Sequence, residues 1–185
     1  PEKRFEKLWS EDGCLMVLLG PTDIISSLKS DENKTKSNRL CFESERLSLQ
    51  KQTKETIDLL KKAIQLNPDN STALCLLGGV LNEQNNPECV SYYEKSLAKN
   101  ENCYLAYRGL GNFYLKNQKF DKSEQNYTLA IEINENRFGP IYKNRGYVRQ
   151  QQNKMNDAKQ DYQNYIKFTP NAKDRGMIER ALNEM

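Results

Sequence analysis

Tyr107-x-x-Leu110-Gly111-x-x-Tyr114 is followed, after the polar turn Lys116 to Lys119, by Ser123-x-x-x-Tyr127-x-x-Ala130. The first four residues stand at i, i+3, i+4 and i+7, the stripe of an amphipathic helix, and the last three form a second stripe of the same kind. The unit is helix, turn, helix. It recurs along the chain: Gly78, Gly111 and Gly146 lie 33 and 35 residues apart. Thr56, Cys89, Ser123 and Ala158 keep step at intervals of 33, 34 and 35, as do Leu60, Tyr93, Tyr127 and Tyr162, and also Ala63, Ser96, Ala130 and Tyr165. Self-similarity at a fixed period of this length predicts a stacked repeat array. A glycine inside a helix costs about 1 kcal/mol against alanine, so its regular placement calls for a packing reason. The expected reason is close approach of the two helices, with Cys89, Ser123 or Ala158 as the facing small residue.

A chain of 185 residues is long enough for one short solenoid with a continuous core. Hydrophobic residues make up 37% and charged residues 29%, a lean balance that thin repeat arrays tolerate because each unit contacts only its neighbours. The 28 basic and 25 acidic residues are interleaved, which argues against a nucleic-acid partner. Five cysteines (Cys14, Cys41, Cys75, Cys89, Cys103) without C-x-x-C spacing point to a reducing compartment. Asn33, Asn70 and Asn126 open N-x-[ST] triplets, but Asn126 adjoins the buried-ladder residue Tyr127, which favours an intracellular chain, cytoplasmic or organellar. The best apolar run, Cys14 to Leu19, is stopped by Gly20-Pro21 and is too short for a membrane span. A start at Pro1 is compatible with methionine removal, a cleaved presequence or a cut fragment.

The chain has no histidine, which removes Ser-His-Asp and Cys-His nucleophile systems and histidine metal sites. Its carboxylates fall beside lysines on faces expected to be solvated. Gly109-Leu110-Gly111 lacks the third glycine of a dinucleotide loop and lies within a helix. No catalytic residue, cofactor or metal is expected. The tyrosines sit at packing positions, so they read as core rather than as a base-stacking platform.

Leu74-x-x-Leu77-Gly78-x-x-Leu81 with Cys89-x-x-x-Tyr93-x-x-Ser96, and the Tyr107 unit above, resemble the tetratricopeptide repeat. Pro68 and Pro170 take the family's closing proline position in the first and last units, and Glu101 and Glu135 take it in the middle two. A first unit precedes these, with Thr56-x-x-x-Leu60-x-x-Ala63 as its second helix and Leu40 to Leu47 as its first, where Glu43 stands in place of leucine. In the last unit Arg145 stands in that place. The resemblance covers about residues 37–170. It implies an all-α solenoid of about four helix-turn-helix repeats, whose first helices line a concave groove.

The divisions expected are an N-terminal helical extension and linker over 1–38, the array over 39–170 and a capping helix over 171–185. In the extension, Phe5 to Trp9, Cys14 to Leu19 and Ile24 to Leu28 read as two short helices packed on the first repeat, and Lys29 to Asn38 as a linker. Asn171 reads as the N-cap of the last helix. Groove positions implied by the resemblance are Thr72, Cys75, Leu76, Gly79 and Glu83, then Arg108, Asn112, Leu115 and Lys116, then Lys143, Asn144, Tyr147 and Gln151. The family also includes members that clamp a terminal carboxylate. Here Arg108 replaces the first lysine, Asn112 and Asn144 match the asparagines, and Asp174 falls at the next basic position. The functional expectation is non-catalytic binding of a protein or peptide, acidic or carboxylate-bearing, as a scaffold or adaptor in a multiprotein complex. Arg108, Lys116 and Lys143 would supply charge, Asn112, Asn144 and Gln151 would hold backbone, and Tyr147 would offer apolar area. The alternative is a permanent subunit of a large organellar or ciliary assembly, using the extension and the convex face.

Overall fold

The computed structural model describes residues 32–134 and 139–184, together with the backbone of two short strands. The strands are β1 (Glu6–Trp9) and β2 (Leu15–Leu18), paired antiparallel with Glu6 opposite Leu18 and Trp9 opposite Leu15. This corrects the helical reading of those eight residues. Four-residue segments are too short to sustain a helix, and the Asp12-Gly13 dipeptide between them is a hairpin signal that the helical reading passes over. The rest of the extension, including Ile24 to Leu28, lies outside the described residues.

The array itself comprises α1 (Glu32–Leu49), α2 (Thr53–Leu66), α3 (Ser71–Glu83), α4 (Cys89–Lys99), α5 (Tyr104–Lys116), α6 (Phe120–Ile133), α7 (Gly139–Gln151) and α8 (Met155–Phe168). They pack as four antiparallel pairs, each stacked on the next. The first helix begins at Glu32, so most of the expected linker is helical, with its early turns held by Lys36–Glu32 and Arg39–Glu43 ion pairs at i, i+4. The closing helix α9 (Arg175–Glu184) starts four residues after Asn171 and seats Ile178 on the last pair.

Each intra-repeat turn uses the same backbone device. Lys51, Asn85, Gln118 and Asn153 adopt left-handed φ values of 59°, 57°, 56° and 61°. Behind each, an N–H reaches back to the carbonyl five residues earlier: Gln52 to Leu47, Asn86 to Leu81, Lys119 to Tyr114 and Lys154 to Arg149, at 2.8–3.0 Å. This is the Schellman closure, which satisfies carbonyls that a helix end leaves open. The turn from α2 into α3 is tied differently. Asn70 caps α3 by accepting from the Ala73 N–H at 3.1 Å, while its Nδ2 donates to Ser37 Oγ at 2.8 Å and Asn38 Oδ1 at 3.0 Å. That carboxamide is buried and fully engaged, which withdraws Asn70 as a glycan acceptor.

The three side-chain ladders are all buried. The glycines face tyrosine rings. A Cβ on Gly78 would lie 2.9 Å from the Tyr93 ring, one on Gly111 2.6 Å from Tyr127, and one on Gly146 3.0 Å from Tyr162. The closest approach belongs to Gly109, where a Cβ would come within 2.2 Å of Tyr93 Cζ. Gly109 is therefore a packing glycine, and the Tyr93 ring is held between Gly78 of its own repeat and Gly109 of the next.

The last repeat replaces apolar contacts with charge. Arg145, at the leucine position, donates from Nε and Nη2 to both oxygens of the fully buried Asp161 at 2.9 and 2.7 Å, and from Nη1 to Thr128 Oγ1 at 3.0 Å. Arg149 adds a bond to Asp161 Oδ2 at 2.9 Å and another to Glu124 Oε1 at 2.8 Å, and Lys154 reaches Glu124 Oε2 at 2.6 Å. The network joins α6, α7 and α8. Breaking a buried pair strands the partner charge.

Gly109→Ala overpacks the Tyr93 slot and should destabilise the chain by about 1–3 kcal/mol, whereas Gly79→Ala, whose Cβ would meet nothing nearer than 4.0 Å, should gain up to about 1 kcal/mol of helix propensity. Chemical denaturation of both variants checks the opposite signs. Asp161→Asn should cost about 3–5 kcal/mol, and a paired Arg145→Leu, Asp161→Leu exchange should recover part of that loss in the same assay.

Candidate binding groove

Between α1, α3 and α5 the array opens into a cavity of about 730 Å³. That size matches a site for a ligand or a few peptide residues. The α1 wall carries Ser44, Glu45, Ser48 and Leu49. Leu49 is 86% exposed, an uncovered apolar residue at the rim. The α3 wall contributes Cys75, Leu76, Gly79 and Glu83, and the α5 wall Leu105, Arg108, Asn112, Leu115 and Lys116. Because first helices alternate with second helices along the chain, side chains from successive first helices meet across the concave side. Tyr93 and Asn82 reach the same cavity from the packed interior.

Three of the seven sequence-derived site residues, Arg108, Asn112 and Lys116, line this cavity. Lys116 Nζ donates to the Asn82 carbonyl at 3.0 Å and to Asn85 Oδ1 at 3.3 Å, which holds the ammonium over the α3–α4 turn. Two of its three protons are thereby used. Asn112 Oδ1 accepts from Tyr127 Oη at 2.6 Å and from Asn144 Nδ2 at 3.2 Å, so the two predicted asparagines form one chain of bonds across α5, α6 and α7. Glu45 and Glu83 give the cavity two carboxylates against the cations of α5. It is bipolar.

The other four lie on α7, beyond the cavity. Lys143 Nζ donates to Asp174 Oδ2 at 2.8 Å and stands 5.2 Å from the Tyr165 ring centre. Asp174 also accepts from the Tyr165 hydroxyl, and together these bonds hold its carboxyl below the usual carboxylate range. The residue at the expected basic position is thus an internal partner for Lys143. Tyr147 is half-exposed and Gln151 is exposed.

Asn82 is the residue that sequence reasoning missed. It is buried at the end of α3, donating from Nδ2 to the Gly109 carbonyl at 3.2 Å and so joining the second repeat to the third beneath the cavity. An asparagine beside a polar turn reads as part of the turn, and nothing in the pattern marks it as interior.

Residues 106–137 match the family model described as tetratricopeptide repeat. Those residues carry one tetratricopeptide repeat. The structure resembles PilF of Pseudomonas aeruginosa with a TM-score of 0.76 at 17% identity, over 83% of this chain and 70% of that one. It resembles MamA with a TM-score of 0.63 at 20% identity, over 77% of each chain. It also resembles YrrB, described as a TPR protein with an unusual peptide-binding site, at 0.62 and 17%, over 87% of this chain and 80% of that one. No curated protein matches the chain in sequence. At these identities the likeness is one of fold. Among the described residues, no helix is long and apolar enough to cross a membrane, and no three His, Cys, Asp or Glu side chains gather as metal ligands.

Acid should loosen the far end of this tetratricopeptide array first. Burial raises the Glu124 carboxyl, but the hydrogen bonds from Lys154 and Arg149 outweigh it and hold the group below the usual carboxylate range. A depressed folded value means the stabilisation is complete above the unfolded pKa of about 4.3 and fades as pH falls through the lower folded one. Thermal melts from pH 6 down to pH 3 should therefore show an extra fall below about pH 4 that Glu124→Gln flattens.

Proposed function

We propose that the chain is a non-catalytic adaptor that binds a peptide segment of a partner protein in the cavity between α1, α3 and α5. The observation that supports this reading is the coincidence of an open cavity of about 730 Å³ with Arg108, Asn112 and Lys116 on one wall. An apolar side chain of the peptide sits among Leu49, Leu76, Leu105 and Leu115, and a carboxylate points toward Arg108 and Lys116, where charge-assisted bonds are strongest. Glu45 and Glu83, from the other two walls, favour a peptide that also carries a basic residue, so charge complementarity fixes its direction. Lys143, Asn144, Tyr147 and Gln151 extend the same concave side, with Tyr147 as the exposed apolar contact. Membership of a larger complex belongs to the same proposal, the array serving as the surface on which partners meet.

Peptides selected by display against the full chain provide the test. The affinity should fall at least tenfold in the double variant Arg108→Ala, Lys116→Ala, about 1.4 kcal/mol, while Lys143→Ala changes it little. Selected peptides that bind the double variant at wild-type affinity would place the ligand elsewhere on the array.

A further inference from the structure

We infer that the cavity takes the indole of a tryptophan from the bound peptide, with the indole N–H donating to the side-chain carbonyl of Asn82. This rests on peptide binding in the cavity and names the side chain that the site selects. Asn82 is 6% exposed and lies on the cavity lining. Its Nδ2 donates to the Gly109 carbonyl at 3.2 Å, and its backbone carbonyl accepts from Lys116 Nζ and from the Asn85 N–H, each at 3.0 Å. Oδ1 is different: among the described residues nothing donates to it. A buried carbonyl left without a donor is costly, and native chains keep few of them.

The amide can stand only one way round. Turning it over would set Oδ1 against the Gly109 carbonyl, two acceptors with no proton between them. This side chain therefore offers the cavity an acceptor and no donor. The Lys116 ammonium, bound to the backbone carbonyl of the same residue, disfavours a second cation beside it, so the incoming donor is neutral.

The walls decide which neutral donor fits. Leu76, Leu105 and Leu115 are half-buried on the lining and need an apolar body to cover them. Serine and threonine are too small to cover the leucines and reach Oδ1 together. An asparagine or glutamine amide, or a tyrosine hydroxyl, would bring a further acceptor to a wall where one already lacks a donor. Indole combines a large apolar ring with one donor and no acceptor. A cavity of about 730 Å³ has room for it.

The probes are peptides selected by display against the full chain, each remade with benzothienylalanine, which keeps the ring shape of tryptophan and carries sulfur in place of the N–H. The selected peptides should share a tryptophan. Its replacement should weaken binding to the wild-type chain about tenfold, as expected when a buried acceptor goes unpaired. Against Asn82→Ala the two forms should bind alike, within about twofold. The wild-type complex should also show a nuclear Overhauser contact between the indole Hε1 proton and the Asn82 side-chain amide, a result that needs no variant to fold. Peptides that depend on Arg108 and Lys116 but lack tryptophan would overturn the assignment and leave peptide binding in place. So would equal binding of the sulfur form to the wild-type chain, the outcome if water alone serves Oδ1. Peptides indifferent to the double variant Arg108→Ala, Lys116→Ala would overturn the cavity as the binding site altogether.

Discussion

A tyrosine ring laid into a notch where a side chain is missing organises this molecule. Tyr93 spans two such notches, one at Gly78 in its own repeat and one at Gly109 in the following repeat. Aromatic rings bury the most area per residue, and here that area is spent on bringing backbones together. The same geometry recurs with Tyr127 on Gly111 and Tyr162 on Gly146. Because the ring enters from the second helix, Tyr93 holds α3 and α5 at a set distance from each other. The spacing of α3 and α5, and therefore that side of the cavity, depends on its two notches.

The array meets one packing requirement in two ways. In the middle repeats the residue just before the notch glycine Gly78 or Gly111 is a leucine, Leu77 or Leu110, and the core there is apolar. In the last repeat Arg145 fills it, and a buried carboxylate with two guanidinium partners replaces dispersion contacts. Such a network is worth little in net stability but penalises any arrangement that separates its members, which suits a junction that must set register without a large apolar surface. The C-terminal stretch of the groove is drawn into the same internal pairing through Lys143 and Asp174. The two ends of the concave side thus differ: an open bipolar cavity lies at α1, α3 and α5, and a self-paired surface at α7 and α9.

The array was readable from sequence because its signal is carried by apolar and small residues at helical spacing, repeated in register. What such a pattern conveys is which residues face inward. It conveys little about backbone sign or polar partnership. Lys51 and Gln118 give no hint of left-handed backbone, since the Schellman turn is imposed by the repeat rather than invited by the residue. Gly109 resembled a fragment of another motif, because its role depends on a ring from the preceding repeat rather than on its own helix. Arg145 was visible as a departure from the pattern, but its compensation by Asp161 lies sixteen residues away on another helix. Charged residues taken for solvated faces included that one buried carboxylate. On the cavity wall, the positions of Arg108, Asn112 and Lys116 were legible because they project from a first helix, whereas Asn82 works from a helix end where asparagine is ordinary. The β1–β2 pairing escaped a reading tuned to helical periods.

The most direct test of this account is a nuclear Overhauser measurement on the full chain with labelled tyrosine and glycine. The ring protons of Tyr93 should show strong contacts to the α-protons of both Gly78 and Gly109, fixing the ring between two repeats. Contacts to Gly78 alone would mean that the second and third repeats do not meet through this ring, and the cavity built on their spacing would lose its foundation.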